Sequence, residues 1–347
     1  MQSYVFFDVN SMQFFSTVLK SYICTKSEQN FMVKPIKLIE IKSEIGAGTR
    51  GASMGVDALK IAALDFRSNY FNKYSSIEVP NENALLFEAQ GSSHAKRIKG
   101  VYSMAEKISD TVLKTLKKNE FPIVLAGDHS SGYATIAGIK MAYPKSHIGV
   151  IWIDAHADLH SPYTTPSGNM HGMPLAAALA EDNVEKQANK PDAETVEYWN
   201  KLKGLGNIIP KISPRDLVFV CLRDFESQEE FVIKSNKIKV VPTNELRRMG
   251  IERVGRDILA YLKHCDYIYI SFDVDSMDSS ISKGTGTPVR NGINEREAGD
   301  LIVRLLQSEK ICCFEITEVN PTLDKENLMA ENAFEILLKA TNEILAE

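Results

Sequence analysis

Seven short apolar runs alternate with stretches of helical periodicity, and no other feature constrains the fold of this chain as tightly. The runs are 36–41 (IKLIEI), 122–126 (PIVLA), 148–153 (IGVIWI), 217–222 (LVFVCL), 238–241 (IKVV), 267–272 (YIYISF) and 311–316 (ICCFEI). Most are nearly continuous in apolar residues rather than alternating, as strands covered on both faces require. Between them, 99–118, 131–142, 251–263, 294–308 and 327–345 place apolar residues at helical spacing. Strand followed by helix, repeated along the chain, predicts a parallel sheet sandwiched by helices.

Residues 1–34 have no place in this alternation and are read as an N-terminal extension, leaving 35–347 as a single α/β domain. The segment 181–211 is the most polar and irregular and is read as a solvated surface connection. A formal net charge of -5 leaves no basic surplus to displace counterions, which argues against a nucleic-acid partner. No apolar stretch is long enough to span a bilayer, and the N-terminus lacks the basic lead-in of a signal peptide. The five cysteines show no CxxC spacing, and Cys221, Cys312 and Cys313 fall within apolar runs. They read as small core residues in a reducing compartment, so the expected location is cytoplasmic.

The chemistry is concentrated after four of the runs. GDHS follows 122–126 and brings Asp128 and His129. DAHADLH follows 148–153 and brings Asp154, His156, Asp158 and His160. DVDSMD follows 267–272 with Asp273, Asp275 and Asp278, and TEVNP follows 311–316 with Glu318. Ligands of open α/β sheets bind beyond the carboxyl ends of the strands, so the four clusters are expected to share one crevice. That crevice would gather Asp154, Asp158, Asp273 and Asp275 with no lysine or arginine from the same motifs. Carboxylates so close repel, and some would have to stay protonated. Two divalent cations balance the four charges, with His129 and His156 completing the shells as neutral imidazoles. In an extended D-x-H-x-D stretch, residues two apart point the same way and can reach a common centre. A DVD or GDHS alone would read as turn and cap chemistry; together at successive strand ends they do not.

GDHS, DAHAD, SFDVDSMD and EVNP, in that order, resemble the ureohydrolases: arginase, agmatinase, formimidoylglutamase and their relatives. TTPSGNMHGMP at 164–174 and TGTPV at 285–289 most resemble arginase. The resemblance runs from about residue 36 to the C-terminus. It implies a three-layer α/β/α domain with an eight-stranded parallel sheet, two Mn2+ ions per subunit, and a homo-trimer or homo-hexamer. It assigns one ion to His129, Asp154, Asp158 and Asp273 and the other to Asp154, His156, Asp273 and Asp275. Asp128 and Asp278 are left as turn residues or as supports behind the ligands, not as ligands.

The implied activity is hydrolysis of a small-molecule guanidino substrate, L-arginine, to L-ornithine and urea by a metal-bridging hydroxide. His171 matches the histidine that shuttles protons, and Glu318 the carboxylate that anchors the guanidinium in two-pronged fashion. Ser167, Asn169 and Thr287 match positions on the substrate side. In two places the sequence departs from arginases. His160 stands where they carry the asparagine that contacts the α-carboxylate, and is expected to donate there in its stead. Glu226, in RDFES, stands where an aspartate recognises the α-amino group. The alternatives are a ureohydrolase acting on formimidoylglutamate, agmatine or another guanidino compound, and a metal-binding paralogue without turnover.

Overall fold

An apolar strand between two helical layers is buried along its whole length, and several strands of the computed structural model, which describes residues 34–346, have that character. The strands are β1 (Ile36–Ile41), β2 (Ser75–Glu78), β3 (Phe121–Ala126), β4 (Ile148–Ile153), β5 (Leu217–Val220), β6 (Lys239–Val241), β7 (Tyr267–Asp273) and β8 (Ile311–Thr317). Every residue of β3, β4, β5 and β8 is buried. The strand that no apolar run announced is β2, SSIE, exposed at all its residues and held by parallel pairing to β1. An edge strand with water on both sides needs no apolar run. The N-terminal extension falls almost wholly outside the described residues.

All strands are parallel, in the order β2-β1-β3-β8-β7-β4-β5-β6. The helices that cover the sheet include α1 (Gly55–Asp65), α2 (Ile98–Lys117), α3 (Ser131–Ala142), α4 (Pro174–Leu179), α5 (Ala193–Lys203), α6 (Ser227–Ser235), α7 (Ile251–Tyr261), α8 (Glu295–Leu306) and α9 (Leu328–Ile344). Successive strand residues point to opposite faces. Ile151, Ile153, Ile270 and Phe272 join the core under α1, α7, α8 and α9. Val150, Trp152, Tyr269 and Cys313 join the one under α2 to α6. The result is the three-layer α/β/α sandwich.

Segment 181–211 is largely exposed, as its composition suggested, but it is not irregular throughout, since it carries α5. Asp192 caps α5 by accepting the Thr195 N–H at 2.7 Å. Thr195, Trp199 and Leu202 are buried at i, i+4 and i+7. So thin an apolar stripe is easily lost among charged neighbours. Trp199 Nε1 and Lys203 Nζ both donate to Asp182 Oδ1, at 2.7 and 2.6 Å. The cysteines at 221, 265, 312 and 313 are free and buried. Among the described residues no helix is long and apolar enough to cross a membrane.

The strand order decides where the chemistry goes. The four motif-bearing strands, β3, β8, β7 and β4, are consecutive neighbours in the sheet. Ile153 pairs in register with Phe272, and Asp273 with Thr317. Asp154, Asp273 and Glu318 therefore emerge at one level, from the carboxyl ends of adjacent strands.

Candidate metal centre

The turn after β3 is set by tight backbone contact. A Cβ on Gly127 would lie 2.1 Å from the Ser43 carbonyl oxygen, so only glycine fits there. Asp128 accepts the N–H groups of Gly46 and Ser130 at 3.0 and 2.9 Å. It holds the turn, as the sequence reading had it, and leaves the site to His129. The His129 ring stacks on Trp152 with centroids 4.0 Å apart, and its Nε2 faces Ser271 Oγ at 2.8 Å. That contact orients the ring and reserves Nδ1 for the site.

His129 Nδ1 lies 3.0 Å from Asp154 Oδ2, 3.2 Å from Asp158 Oδ2 and 3.1 Å from Asp273 Oδ2. The contacts are short but misaligned: His129 Nδ1, Asp154 Oδ2 and Asp158 Oδ2 are buried without a hydrogen bond. Buried polar atoms are almost always partnered, so three orphans facing one point mark a site for a cation. Asp154 turns its other oxygen to a second group. His156 Nδ1 is 3.5 Å from Asp154 Oδ1 and 2.9 Å from Asp275 Oδ2. Asp273 Oδ1 accepts the Asp275 N–H at 2.8 Å. Asp275 also accepts the Ala155 N–H at 3.2 Å and the Thr287 hydroxyl at 3.0 Å, which fixes its carboxylate. Thr287 thus meets the Asp275 carboxylate directly.

Protonation follows from this crowding. Burial, with the Asp154 charge beside it, raises Asp158 to about 6. Burial and the charges of Asp275 and Asp154 hold Asp273 well above the usual carboxylate range. Burial would lower His129 and His156, but the surrounding carboxylates override it and raise both. Protein groups alone can balance the cluster only by keeping protons among the carboxylates and on the rings. Divalent cations would achieve the same balance while freeing both imidazoles as ligands. The donor set of carboxylate oxygens and imidazole nitrogens fits hard to borderline divalent metals.

Around this cluster the pocket is lined by His160, Ser167, Asn169, His171, Glu226, Glu229 and Thr287, together with the acidic and imidazole groups above. Glu318 sits behind it with φ 64°, a backbone conformation that costs a non-glycine residue energy. Its Oε1 accepts the His129 N–H at 2.9 Å and faces His171 Nδ1 at 3.0 Å, while Oε2 is buried and unpartnered. Burial would lower the His171 pKa, but Glu318 reverses that and raises it to about 9. With Nδ1 committed to Glu318, Nε2 is the free nitrogen of His171.

The two departures from the arginase pattern face each other. His160 Nε2 lies 2.9 Å from Glu226 Oε2, and its Nδ1 lies 3.1 Å from Thr164 Oγ1. Both ring nitrogens are thus taken by protein groups, so the free donor expected at His160 is absent from this arrangement. The hydrogen bond from His160 holds Glu226 at a pKa of about 2 and so keeps it ionised. Glu229 was not singled out in the sequence; it accepts the Leu159 N–H and the Glu226 N–H, both at 3.0 Å, and braces the same corner. Lys96 was also missed. Its Nζ donates to Asn169 Oδ1 at 2.9 Å, which leaves the Asn169 amide nitrogen to donate elsewhere.

The family model described as "Arginase family" matches residues 34–342. The arginase of Bacillus caldovelox is 33% identical over 308 residues, covering 88% of this chain and 97% of its own length. The structure of that enzyme superposes with a TM-score of 0.76, at 33% identity, over 90% of this chain and 99% of the other. The arginase of Entamoeba histolytica, solved in complex with L-ornithine, gives a TM-score of 0.74 at 26% identity over 91% of this chain and 100% of the other.

Proposed function

Because the chain belongs to the arginase family, we propose that it hydrolyses the guanidinium group of L-arginine to L-ornithine and urea at a binuclear manganese centre. The observation that carries the reading is the group of buried, unpartnered atoms on His129, Asp154 and Asp158 around one pocket, with that of Glu318 behind it. Three of those atoms suit cations, and the fourth suits a planar, donor-rich cation such as guanidinium. His129, Asp154, Asp158 and Asp273 would hold one ion, and Asp154, His156, Asp273 and Asp275 the other. Divalent metal bound there would supply a hydroxide nucleophile at neutral pH.

The chain's own side chains do the rest. Glu318 Oε2 accepts guanidinium N–H groups and orients the planar carbon toward the metal cluster. His171 carries a proton on its free Nε2 to the leaving amine, while Glu318 steadies the charged ring from Nδ1. Glu226, kept ionised by His160, takes the α-ammonium group. The Ser167 hydroxyl and the Asn169 amide nitrogen, the latter turned by Lys96, donate to the α-carboxylate. His160 acts on the substrate through Glu226, as a positioning residue. The ornithine-bound relative supports an amino-acid ligand at such a site.

A formimidoyl substrate or agmatine lacks part of the complement that Glu226, Ser167 and Asn169 would recognise, and polar groups left unpaired in a closed site discriminate strongly. Steady-state urea release from L-arginine and agmatine, and formamide release from formimidoylglutamate, are to be measured on manganese-loaded protein. The expected order places arginine first. A higher kcat/KM for agmatine or formimidoylglutamate would overturn the substrate assignment and leave the binuclear hydrolase intact.

A further inference from the structure

The opposite end of the sheet carries a second group of metal-ligating residues. His147 immediately precedes β4, Asp216 immediately precedes β5, and His264 and Cys265 lie just before β7. These three strands are adjacent in the order β7-β4-β5, so their amino ends deliver the four residues to one place. Asp216 and Cys265 are buried, while His264 and His147 reach the surface.

His264 Nε2 is 2.7 Å from Asp216 Oδ1 and 3.6 Å from Cys265 Sγ, and that sulfur is 3.8 Å from the same carboxylate oxygen. His147 Nδ1 stands 3.6 Å from Asp216 Oδ2. In a tetrahedral zinc site with bonds of about 2.0–2.3 Å, neighbouring ligand atoms lie roughly 3.3–3.6 Å apart. Three of the four spacings are near that range, and the shortest is a contact that an inserted cation would widen. His264 Nδ1 faces the Tyr261 carbonyl oxygen at 3.2 Å. A neutral ring donating there presents its Nε2 lone pair to the cluster, the arrangement common to metal-bound histidines.

A thiol nucleophile activated by histidine and aspartate would use the two ring nitrogens for different partners. Here Cys265 and Asp216 meet the same nitrogen, so the side chains converge on a point and do not form a relay. The neighbouring charges do not prevent a cation. Lys310 Nζ donates to the carbonyl oxygens of Lys263 and Cys265 at 2.6 and 2.7 Å, and Asp266 accepts the His147 N–H at 2.8 Å. Arg215 Nε is 3.6 Å from Asp216 Oδ1.

We propose that Asp216, His264 and Cys265, with His147 turning in as the fourth ligand, bind one zinc-class divalent cation that ties together the amino ends of β4, β5 and β7. A thiolate, a carboxylate and two neutral imidazoles balance the cation's charge. Sulfur with imidazole selects zinc or cobalt over manganese, so this site and the binuclear centre take different metals. Binding releases the Cys265 proton.

The test is a cobalt titration of the full-length, manganese-loaded protein, followed by sulfur-to-cobalt charge-transfer absorption. Among the described residues no cysteine belongs to the binuclear cluster, and loss of the band in Cys265→Ser assigns it to this site. One equivalent per chain is expected, with the band lost in Cys265→Ser and its apparent Kd raised at least about tenfold in His264→Ala. His264 lies at the surface, so that variant keeps the core intact if Cys265→Ser does not fold. Zinc should raise the melting temperature of the wild type more than that of His147→Ala/His264→Ala. No thiolate band in the wild type, or an unchanged band in His264→Ala, would overturn the proposal.

Discussion

Glu318→Gln removes the charge of Glu318, and with it the guanidinium anchor and the support of His171, while sparing the hydrogen bond to the His129 N–H. The side chain keeps its size, and the amide oxygen can still accept the His129 N–H where Oε1 does now, at 2.9 Å. The amide nitrogen then occupies the position of Oε2, the buried atom without a partner. A guanidinium would meet a donor in place of a charged acceptor. Hydrogen bonds to charged groups contribute about 1.5–3 kcal/mol, which at 1.36 kcal/mol per decade is roughly 10- to 150-fold in kcat/KM. Glu318 is also the group that raises His171 to about 9, against burial. With that charge removed the His171 pKa falls, the ring loses its proton at lower pH, and the basic limb of the pH–kcat profile moves toward neutrality. The assay is steady-state urea release across pH, with elemental analysis of the same preparation to show that both metals remain. If Glu318 served only the turn before Pro321, kcat/KM and the pH profile would match the wild type; that result refutes the anchoring role.

Two further outcomes follow from the same geometry. Asp154→Ala removes oxygens facing both imidazoles, 3.0 Å from His129 and 3.5 Å from His156. It is expected to lose both manganese ions together with activity; elemental analysis showing both ions retained would contradict the shared role of Asp154. His171→Ala removes no expected ligand, so metal content and melting temperature should stay near wild type while turnover falls about 10²–10⁴-fold. Wild-type turnover in buffer free of imidazole-like donors would rule out the proton shuttle.

The inner layer of the fold was legible because strands buried on both faces must be apolar throughout, and β3, β4, β7 and β8 could be read for that reason. The converse hid β2, where SSIE is exposed and only pairing to β1 makes it a strand. In α5, the buried Thr195, Trp199 and Leu202 among lysines and glutamates left too little periodicity to see. The four acidic and histidine motifs were legible because each lies within a few residues of a strand end. The contact between His160 and Glu226 was not, since 66 residues separate them and only the fold brings them to 2.9 Å. Sequence assigned each a separate task; the structure makes one hold the other. Lys96 lies in a stretch with no apolar pattern, and nothing local ties it to Asn169, 73 residues away.

The order of strands in the sheet bears on how this protein is made. Among the described strands, β8 is the last to leave the ribosome, yet it lies between β3 and β7 and alone bridges β2-β1-β3 and β7-β4-β5-β6. Until residues 311–317 are available, the chain can form two partial sheets with open inner edges but no continuous one. Pairing β3 with β8 closes a loop of nearly two hundred residues, a non-local step that slows folding. Both open edges are apolar and remain exposed during that interval, which invites pairing with other nascent chains. The final insertion also brings Glu318 to His129, so the proposed active site is completed only when the sheet is.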